Sequence, residues 1–144
     1  MNNEIDSPDR SVADHVRRYL ATDGADGYLE GGVTNLVITT VGRKTGKPRR
    51  TALFYGEHEG RYILVASGST IGNGTRPGWY RNLLDNPQAQ VQIRADRFTA
   101  RARVAQGRER EQLWHFMTER FPPYLRYQAA VEDEIPIVVL ERTE

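Results

Sequence analysis

The chain reads as a mainly β protein of the α+β class: a six-stranded antiparallel sheet curled into a barrel, with helices on its flanks. Three observations predict this. Six short runs are rich in, or alternate with, β-branched and other apolar residues, and most of them are joined by tight turns. The helical intervals do not alternate regularly with the strands, which excludes a parallel βαβ architecture. With 144 residues, 38% hydrophobic and 27% charged, the chain is expected to form one globular domain over residues 11–144. A loose polar segment, residues 1–10, precedes it.

Each element has its own signal. Val12, Val16, Tyr19 and Leu20 recur at helical spacing, which predicts a helix from Ser11 as N-cap to Ala21, stopped at Gly24. The run Val33 to Val41 is rich in Val, Ile and Thr and predicts a strand ended by Gly42. Thr51 to Glu57 and Arg61 to Ser67 flank His58-Glu59-Gly60 and read as a hairpin. Trp79 to Leu84 predicts a short helix ended by Asn86-Pro87. Val91 and Ile93 alternate with Gln90, Gln92 and Arg94, and Phe98, Ala100, Ala102 and Val104 alternate with Thr99, Arg101 and Arg103. Each of those two strands therefore has one buried and one wet face. Arg108 to Phe121 predicts a helix with Leu113, Met117 and Phe121 on one stripe and Trp114 beside it, ended by Pro122-Pro123. Ile135 to Leu140 is fit for a closing strand.

Several kinds of chemistry are excluded or disfavoured. Without cysteine there is no disulfide, thiolate metal site, iron–sulfur cluster or cysteine nucleophile. His15, His58 and His115 have no carboxylate or second histidine at ligand spacing, so they read as surface residues and no metal site is expected. The chain has no nucleophile elbow and no Walker-type loop, and its glycine-rich stretch from Gly68 to Gly74 lacks the dinucleotide-binding spacing. No apolar run nears the ~18 residues that span a bilayer. The opening MNNEIDSPDR lacks the apolar core of a secretory signal. A cytoplasmic location without stable membrane insertion is expected. A peripheral membrane contact through the first helix stays open, although Asp14 and only two adjacent cations, Arg17 and Arg18, argue against it.

A net charge of +1 hides an uneven distribution. From Gly31 to Leu84 there are eight basic residues against two acids, an excess of +6 that leaves −5 on the remainder. Within it, Gly42-Arg43-Lys44-Thr45-Gly46-Lys47-Pro48-Arg49-Arg50 sets five cations in nine residues between two expected strands. Glycines bring backbone N–H groups close to an anion, Arg offers a planar fork, Lys a point charge and Thr45 a hydroxyl. A soluble basic turn is the plain alternative, and anion binding is the preferred reading. Two more constellations follow. Arg76-Pro77-Gly78-Trp79-Tyr80-Arg81-Asn82-Leu83 opens a helix with donors facing outward, or Trp79 serves only as a core anchor. Tyr124 and Tyr127, three apart after a proline break, either aim phenols into a pocket or pack as ordinary half-buried tyrosines.

In this order and spacing, the pieces resemble the deazaflavin-dependent nitroreductase family, small split β-barrel proteins related to FMN-binding, pyridoxamine-phosphate-oxidase-like barrels. The pieces are Thr39 to Arg49, Val65 to Ser67, Pro77 to Pro87, Thr99 to Arg101, Tyr124 to Gln128 and Ile135 to Val138, and together they span most of the chain after the first helix. The resemblance implies binding of reduced coenzyme F-420, whose phosphate and oligoglutamate tail is anionic. It implies that Arg43, Lys44, Thr45 and Arg49 hold phosphate and tail, and that Arg50, Thr51, Ala52, Leu53 and Phe54 line the ring with main-chain groups. Val65, Ala66, Ser67 and Gly68, with Gly78, Trp79, Tyr80, Arg81 and Asn82, would complete the groove. Tyr124 and Tyr127 would face ring and substrate. The chain departs from the pattern at Gly68-Ser69-Thr70, where a Lys-Gly-Gly is common, with Arg76 as a substitute cation. It also departs at Phe54 and Phe121, where some members carry tyrosine.

The reading is then an oxidoreductase passing a hydride from reduced F-420 to an electron-poor small molecule such as a nitroaromatic, quinone or enone. An FMN-binding or haem-type barrel is the alternative. A non-catalytic carrier or nucleic-acid-binding barrel ranks lower, because a pI near 8.1 is modest and the aromatics cluster after the second helix instead of along the strands. Pairing into a homodimer follows by analogy with such barrels.

Overall fold

The computed structural model describes residues 5–6, 10–67 and 76–143. In chain order they form β1 (Ile5–Asp6), α1 (Arg10–Thr22), β2 (Asn35–Val41), β3 (Pro48–Phe54), β4 (Gly56–His58), β5 (Arg61–Val65) and α2 (Gly78–Asp85). Then come β6 (Gln88–Ile93), β7 (Asp96–Val104), α3 (Gly107–Arg120), α4 (Pro123–Ala129) and β8 (Ile137–Thr143). Among the described residues no helix is long and apolar enough to cross a membrane.

All strands belong to one sheet, ordered β1-β3-β2-β6-β7-β8-β5-β4. Every pairing is antiparallel except that of β1, whose two residues run parallel to Arg49 and Arg50. β3 and β4 stand on opposite sides of this order, yet only Tyr55 separates them in the chain. The sheet must therefore curl until its sides meet at that residue, which makes a barrel with an open seam. Thr34 fixes the corner from both directions: its carbonyl accepts the Tyr55 N–H at 3.1 Å and its hydroxyl donates to the Tyr55 carbonyl at 2.9 Å. Glycine is required next door, because a Cβ on Gly56 would lie 2.7 Å from Met117 Sδ and 2.9 Å from a Phe116 ring carbon.

This corner, which splits one expected run in two, and the short β1 together bring the expected six strands to eight among the described residues. The run Thr51 to Glu57 is not one hairpin arm. Its first part continues from the basic loop and pairs with β2, and only Gly56–His58 pairs with β5. The expected turn is kept, with Glu59 and Gly60 both at positive φ. The first helix stops at Gly24 as expected (φ +84°), whose N–H donates to the Tyr19 carbonyl at 2.9 Å. Ser11, expected as N-cap, lies inside α1, which already begins at Arg10. His15, expected at the surface, is buried with Nε2 2.7 Å from the Gly27 carbonyl oxygen.

Alternation divides the strands between two cores. On β5 and β8, Leu64, Val138 and Leu140 fill the barrel interior, while Ile63, Val65, Ile137 and Val139 face Leu113 and Met117 of α3. Burial on both faces is why these two runs look continuously apolar. A third, smaller cluster seats Val16 and Tyr19 of α1 on Val37. The sheet's outside is thus covered by α1 on one part and by α3 and α4 on another.

Candidate active site

The basic stretch forms the connection between β2 and β3. Its backbone closes on itself: the Gly42 N–H donates to the Lys47 carbonyl and the Gly46 N–H to the Gly42 carbonyl, both at 2.8 Å. Gly46 takes the positive φ (+72°) that the turn needs. Gly42 has little room for a side chain, since a Cβ there would press on Lys47 O at 3.0 Å and Thr45 Oγ1 at 3.1 Å. Thr45 Oγ1 accepts the Lys47 N–H at 3.2 Å, which leaves its own proton to donate. Lys44, Thr45 and Lys47 are exposed and Arg49 and Arg50 half-buried. Among the described residues, Arg43, Lys44, Lys47 and Arg49 have no carboxylate within ion-pair distance.

Asn82, expected as a ligand-binding residue, acts as a brace between this hairpin and α2. Its Oδ1 accepts from the Arg43 backbone N–H (3.1 Å) and from Arg43 Nη1 (2.9 Å), and its Nδ2 donates to Thr40 Oγ1 at 3.0 Å. Only 5% of Asn82 is exposed, so these bonds are its role in the fold. Gly78 and Arg81 on α2 are exposed, and Trp79 and Tyr80 meet edge to face at 6.3 Å while packing on the barrel core. Arg76, the substitute cation, donates to the Glu134 carbonyl at 2.9 Å.

β3 leads from the hairpin to an aromatic nest. Its seven residues are all half-buried, and beyond Arg50 its outer edge has no strand partner among the described residues. Ala52 packs under α1 and Leu53 into the barrel core, so these two offer the surface only main-chain groups. Thr51 lies between Arg50 and Ala52 on the same edge. At the far end Phe54 stacks on Tyr124 (centroids 6.1 Å, 26° between planes) and tilts against Phe121 at 5.6 Å. Phe121, Tyr127 and Trp114 also pack around Tyr124, at 4.9, 6.0 and 6.4 Å. The structure thus brings Phe54, Tyr124 and Tyr127 together and sets beside them Trp114 and Phe121, the latter one of the positions where the chain departs from the family pattern. The helical stripe of the sequence marks these two as apolar neighbours without showing what they surround. Val65 and Ala66 are buried, with the Ala66 N–H donating to the Pro136 carbonyl, and Ser67 is half-buried at the end of the same segment. Gly68 lies outside the described residues.

Tyr124 is only 6% exposed, and its hydroxyl makes no hydrogen bond with a described residue. No fully buried side-chain oxygen or nitrogen among those residues lacks a partner, so the phenol oxygen must reach accessible space. Burial, with a smaller contribution from Tyr127, pushes the phenol well above its ordinary value. It is a protonated, uncommitted donor throughout the neutral range.

A match to the F420H(2)-dependent quinone reductase family spans residues 11–142. The chain belongs to this family. It is 34% identical over 132 residues to an F420H(2)-dependent quinone reductase of Mycobacterium tuberculosis (strain H37Rv), covering 89% of this chain and 87% of that one. Among solved structures it is similar to an F420-H2 dependent reductase, FDR-A, at 36% identity and a TM-score of 0.67 over 74% of this chain and 93% of that one. It is also similar to a domain-swapped dimer, at 33% identity and a TM-score of 0.70 over 94% and 100%. Membership in the quinone reductase family makes the chain an oxidoreductase with reduced coenzyme F-420 as its cofactor. The side chains present fit that group: cations unmatched among the described residues and the Thr45 hydroxyl suit an anionic tail, and a strand edge without a partner beyond Arg50 among those residues, followed by aromatic rings, suits a flat heterocycle.

Proposed function

We propose that the chain reduces a small electron-poor acceptor with a hydride from reduced F-420, the cofactor lying along β3 with its tail at the hairpin and its ring toward Tyr124. A single observation carries this reading. β3 connects a hairpin of cations unmatched among the described residues to an aromatic nest holding an uncommitted phenol, about 20 Å apart at ~3.3 Å per residue. Arg43, Lys44, Thr45 and Arg49 hold phosphate and tail. Arg50 to Phe54 present main-chain edge groups to the ring. Ser67, Gly78 and Arg81 flank the groove, and Asn82 keeps α2 in place beside it. Bound F-420 supplies a hydride, and its carbon in place of the flavin N5 disfavours one-electron chemistry.

The chain's own contribution at the reacting end is shape and one well-placed proton. Phe54, Trp114 and Phe121 exclude water, which strengthens any polar contact made inside. Tyr124 Oη–H donates to the acceptor oxygen on which negative charge develops, and Tyr127 is the second phenol within reach. A quinone carbonyl, a nitro group and an enone make the same demand, so all three are acceptor classes for the site. The structural likeness to a domain-swapped dimer supports a homodimer, which light scattering tests directly. The composition supports a cytoplasmic location.

Side-by-side titration with F-420 and FMN, read by fluorescence at low and high salt, tests the assignment. The expected result is saturable F-420 binding that weakens with salt, and much weaker FMN binding. Tighter FMN binding, or F-420 binding indifferent to salt, overturns it.

A further inference from the structure

α3 and α4 are joined by Phe121 and Pro122 alone, so the angle between them is set by this short turn and by the contacts on either side of it. That angle places Tyr124, because Trp114 belongs to α3 and Tyr124 to α4. Beyond α4, the chain returns to β8 through Ile135, and both polar groups of this residue's backbone are taken by side chains from different helices. The Ile135 N–H donates to Gln128 Oε1 of α4 at 2.8 Å, and the Ile135 carbonyl accepts from Arg110 Nη2 of α3 at 2.8 Å. Gln128 Nε2 also donates to the Asp133 carbonyl at 2.9 Å. Ile135 itself is buried beside Tyr124 in the core under the two helices.

Arg110 is unusual in its burial. Its side chain is only 11% exposed, and its nearest carboxylate, Glu134, is 3.7 Å away and mostly solvated. Its guanidinium carbon lies 5.0 Å from the centre of the Trp114 ring, whose other neighbour is Tyr124. An ion pair this long, to a carboxylate that is mostly in water, returns little of what it costs to bury the cation. What the fold gains here is a rigid contact from α3 to both the Ile135 backbone and the ring that backs the phenol.

We propose that Arg110 is a positioning residue for Tyr124, fixing α4 against α3 through the Ile135 carbonyl and the Trp114 ring so that the phenol stands at the end of β3. The inference rests on the role proposed above for Tyr124. Arg110 touches neither cofactor nor acceptor, and its effect passes through Trp114 and α4.

The test compares Arg110→Met, which keeps the bulk and removes the donors, with Arg110→Lys, Tyr124→Phe and the Arg110→Met/Tyr124→Phe pair. A neutral naphthoquinone is the acceptor. Arg110→Met is expected to lower kcat roughly tenfold, while acceptor KM and F-420 affinity stay within about twofold, since a small misplacement costs rate more than binding. Arg110→Lys recovers part of the rate. The double variant is no slower than Tyr124→Phe, because both changes remove the same contribution. In the protein without cofactor, amide exchange over residues 123–129 quickens in Arg110→Met and stays unchanged over β2 and β6. Multiplying losses in the double variant, or unaltered exchange in α4, overturns the proposal. Full turnover by Tyr124→Phe removes the reading beneath it and the proposal too, and that failure is distinct because the variant keeps Arg110.

Discussion

Arg18 and Lys44 are both surface cations, and the fold uses them in opposite ways. Arg18 donates to Asp14 at 2.9 Å, Asp26 at 2.6 Å and Glu30 at 2.7 Å, tying α1 to the segment that follows it. Across the sheet, Arg103 meets Glu109 through two bonds (2.6 and 2.9 Å) and shares Glu141 with Arg61. Lys44, Lys47 and Arg49 meet no carboxylate among the described residues. The matched arginines are part of the architecture, and hydrogen bonds to their carboxylates raise their own proton affinity further. Among the described residues the hairpin cations keep their charge unmatched, as the anionic ligand proposed for them requires. This is why the basic excess is local although the total is nearly neutral.

The difference can be broken from either side. The largest effect is expected from the double variant Lys44→Ala/Arg49→Ala. Two charge-assisted contacts at ~1.5–3 kcal/mol each predict roughly a hundredfold or greater loss of F-420 affinity at low salt, with an unchanged melting temperature. A fluorescence titration and a thermal melt check both halves, and a stability loss in place of an affinity loss would place these cations with Arg18. Tyr124→Phe comes next, lowering turnover by roughly tenfold to a hundredfold with little change in F-420 affinity, as for a lost oxyanion donor. Steady-state kinetics against a quinone decides it.

Asn82→Ala should cross the divide, because its amide serves both fold and hairpin. Leaving Thr40 and the Arg43 backbone without their partner is expected to cost about 1–3 kcal/mol in urea unfolding and also to weaken F-420 binding. Arg103→Met is the mirror of the hairpin variant. Its half-exposed pairs are worth about 0.5–1 kcal/mol, and cofactor affinity should stay constant.

The smallest effect is in pH. Hydrogen bonds from Arg18 hold Asp14 and Glu30 below the ordinary carboxylate range, and those from Arg103 do the same for Glu109. Their stabilisation is complete above that range and is lost as pH falls through the depressed native values. Melting temperature should therefore fall less steeply in acid for Arg18→Met than for the unaltered chain, and parallel acid limbs would contradict this.

Much of the site is legible as residue types at fixed spacing. The hairpin's glycines and cations, and the tyrosines after the proline break, are local patterns that need no partner to be recognised. The brace made by Asn82 is not, since it depends on Thr40 and Arg43 standing about forty residues away. Nor is the break of the expected strand at Tyr55. Thr51 to Glu57 alternates well enough as one strand, and only the closing of the sheet bends it there. His15 carries no sign that Gly27 will cover it, and Arg110 sits on a helix face that looks solvated until Ile135 and Trp114 enclose it.

Turn chemistry, apolar period and composition were sufficient for the class of fold and the basic hairpin, because each depends on residues within a few positions of one another, and the resemblance to a family rests on six such short pieces in order. Which cations are neutralised, where the sheet bends and which rings gather at the end of β3 depend on pairs brought together from opposite parts of the chain. Those outcomes follow from sheet curvature and helix docking, which no short window of residues contains.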